Sequence, residues 1–170
     1  MIADTVKATL LLFLAAVAQL TIFSSLDLLG GSPDLLLVTL AAVALLRGSI
    51  LGALSGFWAG LLVDTALLQT LGVSSLLYTL AGYWIGRYGE TTGRGRAHAP
   101  TVAVAVITVL YAFGALVLHF MLGDPVDGGD VLGSLLPGIL LNLILTLPVF
   151  AICRRLFRPA EPVPEVRLIV

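Results

Sequence analysis

Residues 48–64 read GSILGALSGFWAGLLVD. Glycine stands at 48, 52, 56 and 60, and the next step of four lands on Asp64. The stretch is otherwise apolar. Glycine removes the side-chain wall between two helices, and small residues four apart mark close helix packing in lipid. On a helix of 3.6 residues per turn, a period of four drifts about 40° per step. The stripe therefore winds. Gly52, Gly56 and Gly60 share a face, while Gly48 and Asp64 lie well round from each other. An acid at the end of such a seam is costly near hydrocarbon and points to a task. Two readings of Asp64 stay open: a buried polar anchor that orients a neighbouring helix or loop, and a solvated helix end at the outer boundary.

The rest of the chain is as apolar as this stretch. Of its 170 residues, 59% are hydrophobic and 11% charged, with mean hydropathy +1.09. A soluble domain carries about 25% charged residues, so there is too little polar surface to cover a water-soluble globule. The chain reads as an integral membrane protein lying almost wholly within the bilayer. A net charge of −1 gives no electrostatic ground for a nucleic-acid partner. The single cysteine, Cys153, excludes an internal disulfide and a multi-cysteine metal site, and reads as a small apolar residue near a helix end. Residues 8–23 resemble the apolar part of a signal peptide. However, Asp4 offsets Lys7 where such a peptide is basic, and no clear small-x-small cleavage site precedes Leu26. The run 5–26 is therefore read as a first spanning helix.

Five more apolar segments follow, at about 33–46, 48–66, 71–86, 100–122 and 131–153. The fold class expected is all-α: a polytopic membrane protein with a six-transmembrane-helix bundle over residues 1–153 and a proline-containing tail over 154–170. The second segment, opened by Ser32 as N-cap and Pro33 as first helical residue, rises only about 21 Å against a hydrocarbon core of about 30 Å. It must tilt little, sit in a thinned zone or be sheltered by other helices. A re-entrant hairpin of the second and third segments is the alternative.

Charge sets the orientation. With six spans, Lys7, Arg47, Arg87, Arg94, Arg96, Arg154, Arg155, Arg158 and Arg167 all fall on one side, and these are all nine basic residues. Asp27, Asp34, Asp64, Asp124, Asp127 and Asp130 fall on the other. The positive-inside rule then places both termini in the cytoplasm. Five or seven spans would scatter these residues over both sides.

Polar groups inside the spans are few. Asn142, with Gly138 and Thr146 at four-residue spacing, lies near mid-membrane, where an amide needs a partner. Gln19 on the first helix is the expected one, and Pro137 and Pro148 are expected to kink the last helix. For Asp64 the only basic candidate on its side is His119. Gly82 and Gly86 offer a second small-residue seam, with Tyr83, Trp84 and Tyr88 as an interfacial aromatic belt and Arg87 following on the face of Tyr83. Arg47 reads either as an anchor snorkelling to lipid or as a contact for a headgroup phosphate or a partner's acid, and Arg87 is grouped with it. The acidic loop 123–130, GDPVDGGD, lacks the ligand spacing of an EF-hand and reads as a glycine-rich outer turn. There is no nucleophile–base pair, metal-ligand spacing or phosphate-cradling loop. No catalytic residue, metal ligand or cofactor is therefore assigned.

Residues 33–90 resemble the MreD family, the small membrane subunit of the bacterial rod-shape system. The matching features run in order: Pro33-Asp34, Leu46-Arg47-Gly48, Gly56-Phe57, Gly60-Leu61-Leu62, Asp64, Leu71-Gly72, then Tyr83 and Arg87. Length, six-span layout and short tail extend the resemblance loosely over the chain. It implies a non-enzymatic scaffold of the cell-elongation machinery in the cytoplasmic membrane, supporting lateral peptidoglycan synthesis. The implied partners are an MreC-like bitopic protein and, through it, a SEDS-type polymerase, a class B transpeptidase and MreB filaments, with membrane lipids around them. The glycine seam would pack within the fold or grip the MreC-like helix. The family is also similar in fold to the substrate-binding subunits of energy-coupling-factor transporters, which gives the alternative function of a vitamin or small-solute transport subunit. Those subunits dock through Ala-x-x-x-Ala on the first helix, and residues 5–26 contain no such pair.

Overall fold

The computed structural model of the chain describes residues 2–22, 31–68, 70–92, 98–123 and 128–157. These residues form α1 (Ile2–Thr21), α2 (Leu35–Arg47), α3 (Ser49–Ala66), α4 (Val73–Thr92), α5 (Ala99–Met121) and α6 (Gly128–Leu156). By length and composition, α1, α3, α5 and α6 can each cross a membrane. Asp27, Arg94, Arg96, Asp124, Asp127, Arg158, Arg167, the side chain of Asp130 and the tail beyond Phe157 lie outside the described residues.

The shortness of α2 is explained by its position. Leu36 to Leu45 are buried without interruption, and α1, α3, α4, α5 and α6 all pack against it. A helix that is apolar all round belongs in a core. A helix sheathed by protein need not match the thickness of the hydrocarbon layer. Its 13 residues rise about 20 Å. The main core gathers Leu36, Leu37, Leu40, Ala44 and Leu45 of α2 with Ala59 and Val63 of α3, Tyr78 and Ile85 of α4, and Val104 and Ile107 of α5.

The start of α2 differs from the expectation. Ser32 is not the N-cap and Pro33 is not helical. Asp34 is the cap, and its side chain accepts the Leu37 N–H at 2.8 Å. A carboxylate satisfies that orphan donor and also faces the positive end of the helix, which a serine hydroxyl would not do as well. Pro33 stays outside, where its carbonyl accepts from Gln19.

Other boundaries moved for local reasons. α1 begins at Ile2 and ends at Thr21, with Ile22 in a turn. α4 runs past the expected end at 86 to Thr92, because Gly86 and Gly89 keep its last turns against Ser49 and Leu45. α6 extends from Gly128 to Leu156 straight through Pro137 and Pro148, so the prolines do not divide it.

Candidate functional site

The glycine stripe of α3 lies against α4, and the two helices form the most intimate pair in the fold. Gly52 abuts the carbonyl of Gly82, and Gly82 in turn abuts the carbonyl of Gly52. Gly56 abuts the carbonyl of Tyr78, Gly60 the backbone of Ser75, and Gly86 the backbone of Ser49 and Gly48. These pairs step in opposite directions along the two helices, so the seams at 52–60 and 82–86 are halves of one antiparallel contact. At each of these glycines a Cβ would overlap backbone. Gly48 has a different part: with φ 101° it makes the turn between α2 and α3, a conformation glycine adopts without steric cost.

Each end of the pair is closed by a carboxylate from the opposite helix. Asp64, at the C-terminal end of α3, is 0% exposed. It accepts from the backbone N–H groups of Gly72, Ser74 and Ser75 at 2.8, 3.1 and 3.4 Å. These are the orphan donors at the start of α4. Glu90, near the C-terminal end of α4, accepts from the N–H and hydroxyl of Ser49 at 2.8 and 3.1 Å, capping α3. Both charges face helix N-termini, where the macrodipole favours an anion. Ser75 adds a cross-helix bond from its hydroxyl to the Phe57 carbonyl at 2.7 Å.

A second polar cluster surrounds the head of α2. Gln19 of α1 donates to the Pro33 carbonyl at 3.1 Å and accepts the Leu35 N–H at 2.7 Å. Asn142 of α6 accepts the Asp34 N–H at 2.8 Å and donates to the Thr108 hydroxyl of α5 at 3.1 Å. Tyr78 of α4 donates to Asp34 at 3.3 Å and stacks on Tyr111 of α5 with ring centroids 5.1 Å apart. Three helices thus hold the start of α2 directly, and α5 steadies two of the side chains that do so. Beside the cluster, between α2, α5 and α6, lies a cavity of about 340 Å³ lined by Asp34, Tyr111, His119, Ser134, Gly138 and Asn142 among others.

At the far end of α2, Arg47 pairs with Asp4 of α1 at 2.8 Å. Its guanidinium also lies over the Phe157 ring, 5.2 Å from the centroid. Arg87 pairs with Glu90 at 3.2 Å and its side chain is 54% exposed. Tyr83 and Trp84 are exposed beside it, while Tyr88 packs on the core.

Two expected pairings are corrected. Gln19 does not bond Asn142: the two amides grip the same helix head from opposite sides, because the unpaired backbone of α2 offers each a partner. His119 does not meet Asp64, whose oxygens are taken by the amides of α4; His119 lines the α5–α6 cavity instead. Sequence reasoning missed Glu90, Asp4, Tyr78 and Tyr111. Only Glu90 left a local signal, as an acid three residues after Arg87 and one after Gly89.

The comparisons with known proteins add the family. No curated protein and no solved structure matches the chain. Residues 2–156, which include all six helices, match the family described as rod shape-determining protein MreD. The chain therefore belongs to the MreD family of rod shape-determining membrane proteins.

Proposed function

We propose that the chain is a non-enzymatic scaffold subunit of the bacterial cell-elongation complex. In this reading it binds an MreC-like bitopic protein and, through it, supports a SEDS-type polymerase, a class B transpeptidase and MreB filaments in lateral peptidoglycan synthesis. The observation that carries the reading is the family match over residues 2–156. It sits in the cytoplasmic membrane with both termini in the cytosol, residues 1–153 forming the membrane domain and 154–170 a cytoplasmic tail. Lys7, Arg47, Arg87, Arg154 and Arg155 at one end of the helices, with Asp34 and Asp64 at the other, support this orientation.

The geometry also bears on where a partner binds. The seam glycines, Asp64 and Asn142 are engaged inside the fold. Every helix but α2 keeps an exposed apolar face, and α3, α4 and α5 expose Leu54, Leu80 and Val106. We take as partner faces those of α1, with Leu10, Phe13 and Leu14 exposed, and of α6, with Leu136, Leu140 and Ile144 exposed. Arg87 is paired with Glu90 but half exposed, so its outer edge can still meet a headgroup or a partner's acid, whereas Arg47 is turned toward Asp4 and Phe157. The test is purification of the tagged full chain from a rod-shaped cell. An MreC-like protein is expected to co-purify, and its recovery should fall when Leu140 and Ile144 or Leu10 and Leu14 are replaced by alanine. Purification without any elongation protein would overturn the reading.

The cavity beside Asn142 favours a second reading, a solute-binding transport subunit. The absence of an Ala-x-x-x-Ala pair in residues 5–26 weighs against it.

A further inference from the structure

The cavity between α5 and α6 is not an accident of loose packing. Gly138 is buried, yet a Cβ built there would meet nothing within 4 Å. Every seam glycine of α3 is the reverse case, with backbone already in that space. Ala112 and Ala115 line the opposite wall, so small side chains stand where α5 and α6 do not touch. At about 340 Å³ the space reaches the lower end of the range for ligand pockets, about 300–1,000 Å³.

Its lining defines what would bind. Asn142 and Thr108 are committed to each other, and Asn142 also to the Asp34 backbone. Thr108 spends its proton on the Val104 carbonyl. The formal charge on the wall comes from Asp34, whose carboxylate accepts the Leu37 N–H and the Tyr78 hydroxyl, with the Leu36 N–H also directed at it. A carboxylate has about four acceptor sites, so about one is left for a ligand. The stacked Tyr78–Tyr111 pair stands beside it, and an aromatic face favours a cation. Among the described residues no lysine or arginine lines the cavity, and His119 is the basic side chain there that an anionic group would meet. The upper wall, Leu116, Val131 and Leu135, is apolar.

We propose that this cavity binds an organic ammonium group carried on a partly apolar molecule, with Asp34 as its counter-ion. The ammonium can belong to a lipid headgroup, such as ethanolamine, or to a free amine. The proposal does not depend on the scaffold reading, since it requires only the cavity and its acid.

The test uses the delipidated full chain in neutral detergent, with complexes counted by native mass spectrometry. The probes are lysophosphatidylethanolamine, lysophosphatidylglycerol and hexylamine. The ethanolamine lipid or hexylamine is expected to bind at least about tenfold tighter than the glycerol lipid, and the better of the two identifies the source. Asp34→Asn keeps a good N-cap and should abolish that preference. Gly138→Leu fills the open space and should abolish binding, with Ala115→Leu as a second filling variant. Thermal unfolding of each variant separates lost binding from lost fold. Equal binding of the glycerol lipid, absence of binding by any probe, or an unchanged preference in folded Asp34→Asn would each overturn the proposal.

Discussion

Gly56→Leu is expected to unfold the α3–α4 pair and with it most of the protein. Gly56 lies against the carbonyl of Tyr78, so a side chain there meets backbone rather than a rotatable neighbour. The two helices must move apart, and the contacts at Gly52 and Gly60 open with them. Separation also pulls Asp64 from the amides of α4 and Glu90 from Ser49. Overpacking alone costs about 1–3 kcal/mol, and the lost caps add about 0.5–2 kcal/mol each. The sum, about 2–7 kcal/mol, reaches the lower part of the whole stability of a small domain, about 5–15 kcal/mol. The measurement is thermal unfolding in detergent alongside the amount of folded protein recovered. Gly133→Leu is the control: a Cβ at Gly133 meets nothing within 4 Å and the residue is exposed, so its effect should stay within about 0.5 kcal/mol. If Gly56→Leu is as stable as Gly133→Leu, the seam is not a close backbone contact.

Asp64→Ala comes next in size. The carboxylate is fully buried and accepts three backbone N–H groups. Alanine leaves those donors facing protein with nothing to accept them, at about 1–3 kcal/mol for each buried group left unsatisfied. Relaxation and water entry at the end of the helix recover part of that, so a loss of about 3–5 kcal/mol is expected. Asp64→Asn keeps one acceptor oxygen and loses the charge at the helix N-terminus, and should cost less, about 1–3 kcal/mol. Because His119 lies in a separate cavity, Asp64→Ala and His119→Ala should add to within about 0.5 kcal/mol. Coupling well above that would mean that the acid reaches the histidine after all.

The local features of the fold were legible and the long-range pairings were not. Glycines four apart in 48–60 and at 82 and 86 announce close approach from either helix alone. What the stripe touches depends on antiparallel docking of two segments, and no periodicity within one segment carries that. The expected drift of a four-residue stripe is real, but an i, i+4 ridge is itself a packing row. A neighbour crossing along that row meets Gly52, Gly56, Gly60 and Asp64 in turn. The need of α2 for shelter followed from its length, and Leu36 to Leu45 met it by being buried throughout. Its cap was misplaced because Ser32 and Asp34 are both good N-cap residues, and the choice was made by Asn142, 108 positions away, which fixes the Asp34 N–H. Glu90 was missed because an acid near a helix end normally faces water. Asp4 and Arg47 are 43 positions apart, beyond the reach of any local pattern. The α5–α6 cavity was invisible for a similar reason: Gly138 in sequence looks like Gly56, and only the neighbour decides whether the glycine is filled or empty.

In the proposed arrangement α3 and α4 cross the membrane as an antiparallel pair with the basic ends of the bundle toward the cytosol. Leu68, in the turn after α3, is 92% exposed, and Thr91, in the last turn of α4, is also exposed. Single cysteines at these two positions, in a Cys153→Ala background, can be labelled in intact cells by a membrane-impermeant maleimide. The expected result is labelling of Leu68→Cys from outside, with Thr91→Cys labelled only after the membrane is opened. Labelling of both from the same side would contradict the arrangement and the roles built on it.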